Sequence, residues 1–368
     1  MHIVFRTDAS LQIGIGHVMR CLALAVGLRT HGQQVSFICR AHAGNLIQAI
    51  EQQGFDVFTI KNTAQETIDN IGELEHANWL GATQHVDAED CCEYLESIKP
   101  DWLIVDHYAL DYRWQDSLQL YYKKLMVIDD LADRKHHCQL LLDQTYGRKL
   151  SDYQTLVPQN CWLLLGSDYA LLRMEFAKWR ETSQQRRHDP QLSKMLITLG
   201  GVDKDNVTGQ VLTALKTCGL PKGLTIVVVL GATAPHLSVV QKIAASMQNA
   251  TEVKVSVDNM AELMASSDIA IGAAGATTWE RCCLGLPAIT LILAENQLEL
   301  AQHLAAAKVI WLMQQANLAA ELNKFFAGLV FADMAECSRK SMRLVDGLGV
   351  NKVVQALMHA NEMSADFE

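Results

Sequence analysis

The chain has no cysteines in C-x-x-C spacing, no G-x-x-x-x-G-K-[ST] loop and no low-complexity tract. It also has no lysine and arginine cluster large enough to act as an electrostatic footprint, and no apolar run of bilayer length. Each absence removes a class of function. Without the lysine loop there is no P-loop nucleotide site. The glycine turn Gly14-Ile15-Gly16 lacks the third glycine of the dinucleotide fingerprint, so a nicotinamide cofactor is not supported either. The ten cysteines include two adjacent pairs, Cys91-Cys92 and Cys282-Cys283, which rarely bridge. They read as buried small hydrophobes in a reducing cytoplasm. A formal net charge of −10 argues against a nucleic-acid surface. No segment is expected to span a membrane. The first residues enter a strand-like run at once, with Arg6 and Asp8 following, so no signal peptide is expected. An acidic protein that binds an anion must rely on backbone N–H groups and helix ends more than on bulk charge.

What is present is a long alternation of strands and helices. At 368 residues, 49% hydrophobic and 20% charged, the chain is long enough for two ordinary domains. Strand-like runs fall at 2–5, 35–39, 57–60, 102–105, 125–128, 140–142 and 162–164, with helical patterns such as 18–30, 44–53 and 91–98 between them. Such alternation predicts a parallel, doubly wound α/β sheet. Residues 181–193 are polar and contain Pro190, and read as a linker. A second alternation follows, with strands at 195–199, 224–230, 251–257, 269–271, 288–291 and 309–312. The expected organisation is an N-terminal domain over 1–180, a linker over 181–193, a second domain over 194–330 and a helical extension over 331–368. The amphipathic stretch 350–358 in that extension could pack back on the first domain or serve as an interaction element. Two doubly wound domains facing a cleft would bind ligand at the carboxyl ends of their strands.

The most informative stretch runs from Arg6 to Cys21. An apolar strand (Ile3, Val4, Phe5) leads through the glycine turn into a helical pattern (Val18, Cys21, Leu22, Ala25, Leu28). A helix N-terminus gathers free N–H groups and a positive dipole end, which suits an anion. His17 sits on that first turn. The dipole disfavours imidazolium, so His17 is expected to be neutral near pH 7 and able to accept a proton. The alternative is a local hydrogen-bonding residue at a helix start.

The pattern R-x-D-x-S-x-x-I-G-x-G-H-x-x-R-C resembles the UDP-2,4-diacetamido-2,4,6-trideoxy-β-L-altropyranose hydrolase family of pseudaminic acid biosynthesis. Further pieces fall in the family's order: Ile104-Val105-Asp106-His107-Tyr108, Ile128-Asp129-Asp130, His136-His137-Cys138, Leu141-Leu142-Asp143-Gln144, Gly166 to Arg173, Leu199 to Asp203 and Glu295-Asn296-Gln297. Together they cover about residues 1 to 320. The resemblance implies the two-domain glycosyltransferase-B (GT-B) fold. It implies hydrolysis of a UDP-sugar by water attack at the anomeric carbon with inversion, without metal or other cofactor. The partners implied are the UDP-sugar and water, with no nucleic acid and no membrane, in a cytoplasmic monomer whose pathway leads to flagellin glycosylation.

The resemblance points to His17, Tyr108 and Asn296 as reaction-centre residues. Tyr108 follows a buried strand and can hydrogen-bond through its phenol while its ring packs on a sugar; it could also be a core-edge aromatic. Asn296 offers a donor and an acceptor to N-acetyl or hydroxyl groups. Substrate-binding residues expected beside them are Asp8, Gly14, Ile15, Gly16, Arg20, Asp106 and His107. Asp8 could orient His17 or bind sugar amides.

On the second half, Gly200 and Gly201 end a strand and permit close backbone approach, or form an ordinary turn. The run Ile271 to Glu280 again reads as strand, small-residue turn and helix. Ala276 and Thr277 would face phosphates, and Glu280 would hold the ribose diol, or act as a capping residue. Val257 and Met260 flank a turn that the resemblance assigns to the uracil edge, although Asp258 or Asn259 could simply cap a helix. Gln297 completes the set. His136 and His137 lack a partner pair at zinc spacing and read as structural. Asp129 and Asp130 could cap a helix or orient the substrate or other site residues. The main alternative function is a murein-type UDP-sugar glycosyltransferase of the same fold. A nucleotide-sugar binder without turnover is a third reading.

Overall fold

The computed structural model describes residues 1–62 and 73–365. The chain divides into two compact units, one made of Met1–Leu171 with Leu348–Glu368 and the other of Leu172–Gly347. The first holds a seven-stranded sheet of β1 (His2–Thr7), β2 (Gln34–Arg40), β3 (Asp56–Ile60), β4 (Trp102–Asp106), β5 (Lys124–Ile128), β6 (Leu140–Asp143) and β7 (Trp162–Leu165). Their order is β3-β2-β1-β4-β5-β6-β7, and every pairing is parallel. The second unit holds β8 (Lys194–Thr198), β9 (Thr225–Leu230), β10 (Thr251–Val255), β11 (Ile269–Ala273), β12 (Ala288–Leu291) and β13 (Trp311–Met313). Its order is β10-β9-β8-β11-β12-β13, again all parallel.

Parallel strands are covered on both faces, so they must be apolar on both. In β4, Trp102 and Ile104 join one core with Phe5, Leu24 and Phe37, while Leu103 and Val105 join the opposite core with Val4, Trp114 and Leu141. Each sheet reverses its winding once, between β1 and β4 and between β8 and β11. Backbones splay at such a reversal, and ligands bind just beyond the strand ends there. In the first unit this places Asp8 and the segment Asp106-His107-Tyr108 side by side, since Thr7 pairs with Asp106.

The polar stretch 181–193 is not a linker. Residues up to 188 are the second half of a helix, Met174–His188. Some of its polar side chains are paired: the Ser183 hydroxyl donates to the Leu284 carbonyl at 2.6 Å, and Arg180 donates to the Met342 and Val345 carbonyls at 2.6 and 2.7 Å, while Glu181, Thr182, Gln184 and Gln185 are exposed. The first segment of the first unit ends at Leu171, so 172–180 lie in the second unit. The 331–368 stretch is also not one extension. The helix Phe331–Leu344 belongs to the second unit, and the chain returns to the first at Leu348. There the helix Gly349–Ala365 buries Val350, Val353, Val354 and Leu357 against the core that includes Leu24 and Leu28 of the helix Gly16–Thr30. Gly27 permits the approach, because a Cβ on it would lie 2.4 Å from Val350 Cγ1. Among the described residues no helix is long and apolar enough to cross a membrane.

Candidate functional site

The turn that opens the first helix is built by short-range bonds. Ser10 Oγ accepts from the N–H groups of Gln12 and Ile13 at 3.1 and 2.9 Å, and Gly14 N–H donates to the Ser10 carbonyl at 2.8 Å. Gly14 has φ +80, in the left-handed region that glycine enters without strain. The helix starts at Gly16 with no side-chain cap on Ile15. His17 is therefore on its first turn and Arg20 is one turn further along the same face.

Both meet Asp106. Arg20 grips that carboxylate with two parallel bonds, Nε to Oδ2 at 2.6 Å and Nη2 to Oδ1 at 2.7 Å, and its Nη1 pairs with Asp130. His17 Nδ1 faces Asp106 Oδ1 across 3.6 Å. Burial pushes the His17 imidazole down to about 4; Asp106 pulls it up and Arg20 pulls it down. The ring is thus uncharged at neutral pH, and burial is the largest cause. Asp106 is itself held below the ordinary carboxylate range, because Arg20 and His17 outweigh its desolvation. A carboxylate beside Nδ1 favours a proton there and leaves Nε2 with its lone pair.

Tyr108 completes this group. Its ring meets the His17 ring edge-on at 4.5 Å, and its hydroxyl donates to Asp130 Oδ2 at 2.9 Å. Burial, with Asp130 nearby, raises the phenol well above its usual range, so it remains a donor. Asp8 does not reach into this cluster. Its Oδ1 accepts from Arg40 N–H and pairs with Arg6, both at 2.7 Å, and Oδ2 lies 3.4 Å from His107 Nε2 and 3.7 Å from His42 Nε2. Burial alone would raise this carboxyl; Arg6, His107 and His42 hold it well below the usual range. His107 Nδ1 accepts from the Ala109 N–H at 3.1 Å, which assigns the proton to Nε2, toward Asp8.

Several participants carry no signal in the sequence. Asp87 takes two bonds from Arg6 (3.1 and 2.7 Å) and one each from Arg40 (2.7 Å) and Trp114 Nε1 (3.0 Å). Trp79 and His76 pack on Tyr108. Asp129 is neither a helix cap nor in contact with His17: it pairs with Arg134 at 2.9 Å and accepts from the Tyr153 hydroxyl at 2.9 Å. His136 and His137 turn to different partners, Gln115 and Asp116.

In the second unit, Gly200 follows β8 with φ +101, and Gly201 accepts at its carbonyl from Gly231 N–H at 2.8 Å. The helix Thr277–Cys283 follows β11, with Ala276 before it making no side-chain cap bond. Glu280 is not a capping carboxylate. It is half-buried, pushed up to about 7 by desolvation against the pull of Arg173 and Arg281, with Arg173 Nη2 4.0 Å away. Arg281 folds over the turn, donating to the Ala273 carbonyl at 2.7 Å and to the hydroxyls of Thr277 and Thr278, both at 3.1 Å. Asn296 is exposed in the short turn Glu295–Gln297. Gln297 Oε1 accepts from Leu293 N–H at 3.0 Å, and its Nε2 would lie 4.0 Å from a Cβ on Gly275. Val257 and Met260 flank the turn between β10 and the helix Met260–Ala265.

Residues 196–345 match the Glycosyltransferase family 28 C-terminal domain. The chain is 28% identical over 306 residues to the UDP-2,4-diacetamido-2,4,6-trideoxy-β-L-altropyranose hydrolase of Campylobacter jejuni, covering 83% of this chain and 96% of that protein. It is 27% identical over 304 residues to an uncharacterized protein of Methanocaldococcus jannaschii, covering 81% of this chain but only 57% of that protein's length. Among solved structures, MurG of Acinetobacter baumannii superposes with a TM-score of 0.69 at 18% identity, over 97% of this chain and 99% of that one. The chain thus has the GT-B fold and is similar along most of its length to a UDP-sugar hydrolase, as the motifs beginning at Arg6 imply.

Proposed function

We propose that this protein hydrolyses UDP-2,4-diacetamido-2,4,6-trideoxy-β-L-altropyranose to UDP and the free sugar, a step of pseudaminic acid biosynthesis. The observation that carries the reading is the buried, uncharged His17 imidazole with the Arg20-clamped Asp106 beside it. The identity of the sugar rests on the similarity to the Campylobacter enzyme.

In this mechanism His17 Nε2 takes a proton from a water molecule. The water oxygen attacks the anomeric carbon from the face opposite UDP. The C1–O bond breaks, its electron pair leaves with the β-phosphate oxygen, and the sugar configuration inverts. Asp106 keeps the imidazole in the productive tautomer and offsets the positive charge it gains, the role a carboxylate plays behind a catalytic histidine. Arg20 keeps Asp106 ionised, and so acts as a positioning residue. Tyr108 and Asn296 hold the sugar through hydroxyl and carboxamide groups. Glu280 takes the ribose diol, while backbone at Gly200, Gly201, Ala276 and Thr277 lies along the diphosphate, and the Val257 to Met260 turn lies along the uracil.

The test is turnover in H₂¹⁸O. Label in the free sugar and none in UDP supports the mechanism. Label in UDP or UMP means attack on phosphorus and removes His17 from the role given to it. His17→Ala is expected to lose about 10²- to 10⁴-fold in kcat. A second reading, favoured by the family 28 domain, is transfer of the sugar to an acceptor hydroxyl. It would show as UDP release that depends on an added acceptor.

A further inference from the structure

We propose that Trp79, backed by His76, is a stacking surface for the substrate's sugar and sets the preference for a deoxygenated, acetylated ring; this deepens the reading above and rests on it. Trp79 ends a single short turn, Ala77–Trp79, which precedes the helix Gln84–Ile98. Its indole centroid lies 5.7 Å from the Tyr108 ring at an interplanar angle of 27°, and 6.3 Å from the His17 ring. His76 stacks on it at 4.4 Å and 29°, and itself lies 5.5 Å from Tyr108. Four rings therefore form one continuous cluster around the candidate base.

The exposure pattern separates their roles. His17 and Tyr108 are buried, whereas Trp79 and His76 are only half-buried. The Trp79 indole keeps part of its surface open and lies 6.3 Å from the His17 ring. The wall is also uncharged. Desolvation lowers the His76 imidazole below its ordinary value, so it is neutral at pH 7. Two cations lie beside the cluster and both are paired: Arg134, 5.7 Å over the Tyr108 ring, with Asp129 at 2.9 Å and Asp133 at 2.8 Å, and Arg20 with Asp106 at 2.6 Å and with Asp130. Such a wall offers nothing to a phosphate. It suits C–H and methyl groups, which gain by leaving water and by lying on a π face. A 2,4-diacetamido-2,4,6-trideoxyhexose presents three methyl groups, where a common hexose presents hydroxyls. The wall should therefore favour it over UDP-N-acetylglucosamine.

The experiment uses the whole chain with Trp79→Ala and Trp79→Phe. For Trp79→Ala the KM for the diacetamido substrate should rise about tenfold, the loss of one aromatic contact. Its kcat should stay within about threefold. The kcat/KM preference over UDP-N-acetylglucosamine should fall by a similar factor, and the Kd for UDP alone should not move. Trp79→Phe keeps an aromatic face and should recover most of the KM. Free 2,4-diacetamido-2,4,6-trideoxy-altropyranose should quench tryptophan fluorescence in wild type and in Trp162→Phe, but not in Trp79→Phe. A quench that persists in Trp79→Phe overturns the proposal, as does equal weakening of UDP and substrate in Trp79→Ala. If the wild type hydrolyses no UDP-sugar while the Trp79 quench is present, the hydrolase reading fails and the stacking surface stands. If hydrolysis depends on His17 and Trp79→Ala leaves KM unchanged, the stacking surface alone fails.

Discussion

Acidification should leave the proposed base uncharged far below the pH at which an ordinary histidine protonates. His17 is lowered from 6.5 to about 4, with burial as the main cause and the opposed charges of Asp106 and Arg20 on either side. At about 1.4 kcal/mol per pH unit, the site disfavours the imidazolium by about 3 kcal/mol relative to water. The acid limb of kcat/KM reports the free enzyme's base. With an unperturbed histidine, kcat/KM at pH 5.5 would be about one tenth of its plateau. Measured in Glu280→Gln, so that the ribose contact does not titrate, it should match the value at pH 7.5, with the fall centred near pH 4. UDP release measured from pH 4 to 8, with circular dichroism to confirm folding at each point, gives the profile. An NMR titration of the His17 ring, assigned by its loss in His17→Gln, gives the same pKa independently. A limb or ring titration centred near 6.5 in folded protein would refute the argument, because the site would then not be desolvating the imidazole.

Four other outcomes follow from the geometry. Asp106→Asn should lower kcat by about 10²- to 10⁴-fold through loss of tautomer control, and should also reduce thermal stability, since it strips a charge from the buried Arg20 pair. Glu280 is held up to about 7, so if its ionised form accepts the ribose hydroxyls, UDP affinity measured by calorimetry should rise as pH passes through 7 and become flat in Glu280→Gln. Stability should fall on acidification between pH 6.5 and 4, because unfolded chains protonate at His17 and His136 while the folded protein, with both lowered to about 4, does not. Asp143, held up to about 6 mainly by burial, works in the opposite sense: its contribution is present at low pH and is lost as pH rises through 6. Urea midpoints at pH 7 and pH 4.5 should therefore lie closer together in His136→Gln than in wild type. Finally, Leu357→Ala should cost about 2–5 kcal/mol of stability in a urea titration and leave kcat unchanged, because Leu357 is fully buried in the core on the helix Gly349–Ala365.

Much of the architecture was legible because its physics is local. Strands covered on both faces announce themselves as unbroken apolar runs, and β4, β5 and β12 fall within a residue or two of the expected positions. Asp106 and Tyr108 could be picked out because they follow such a run. Polarity over 181–193 suggests a solvated linker, yet Ser183 is fully buried and Arg187 donates to the carbonyls of Ser267 and Met264. Backbone acceptors some eighty residues away leave no trace in local composition. The same holds for Arg6 with Asp87, and for Arg20 with Asp106 and Asp130. The sequence leaves Asp8 open to orienting His17 or binding sugar amides, whereas in the fold its carboxylate faces His107 and pairs with Arg6. Trp79 and His76 sit in an irregular segment with no periodicity, so nothing in the sequence marked them as neighbours of Tyr108.

The return of the chain at Leu348 also dictates an order of events. One body is an uninterrupted insert that can complete itself as it is translated. The other is in two pieces, and its closing piece emerges from the ribosome only after the whole insert has been made. Until then, Leu24 and Leu28 of the first helix lack the partners that Val353 and Leu357 later supply, and a nascent chain in that interval presents a sticky seam to chaperones and to its neighbours on the polysome.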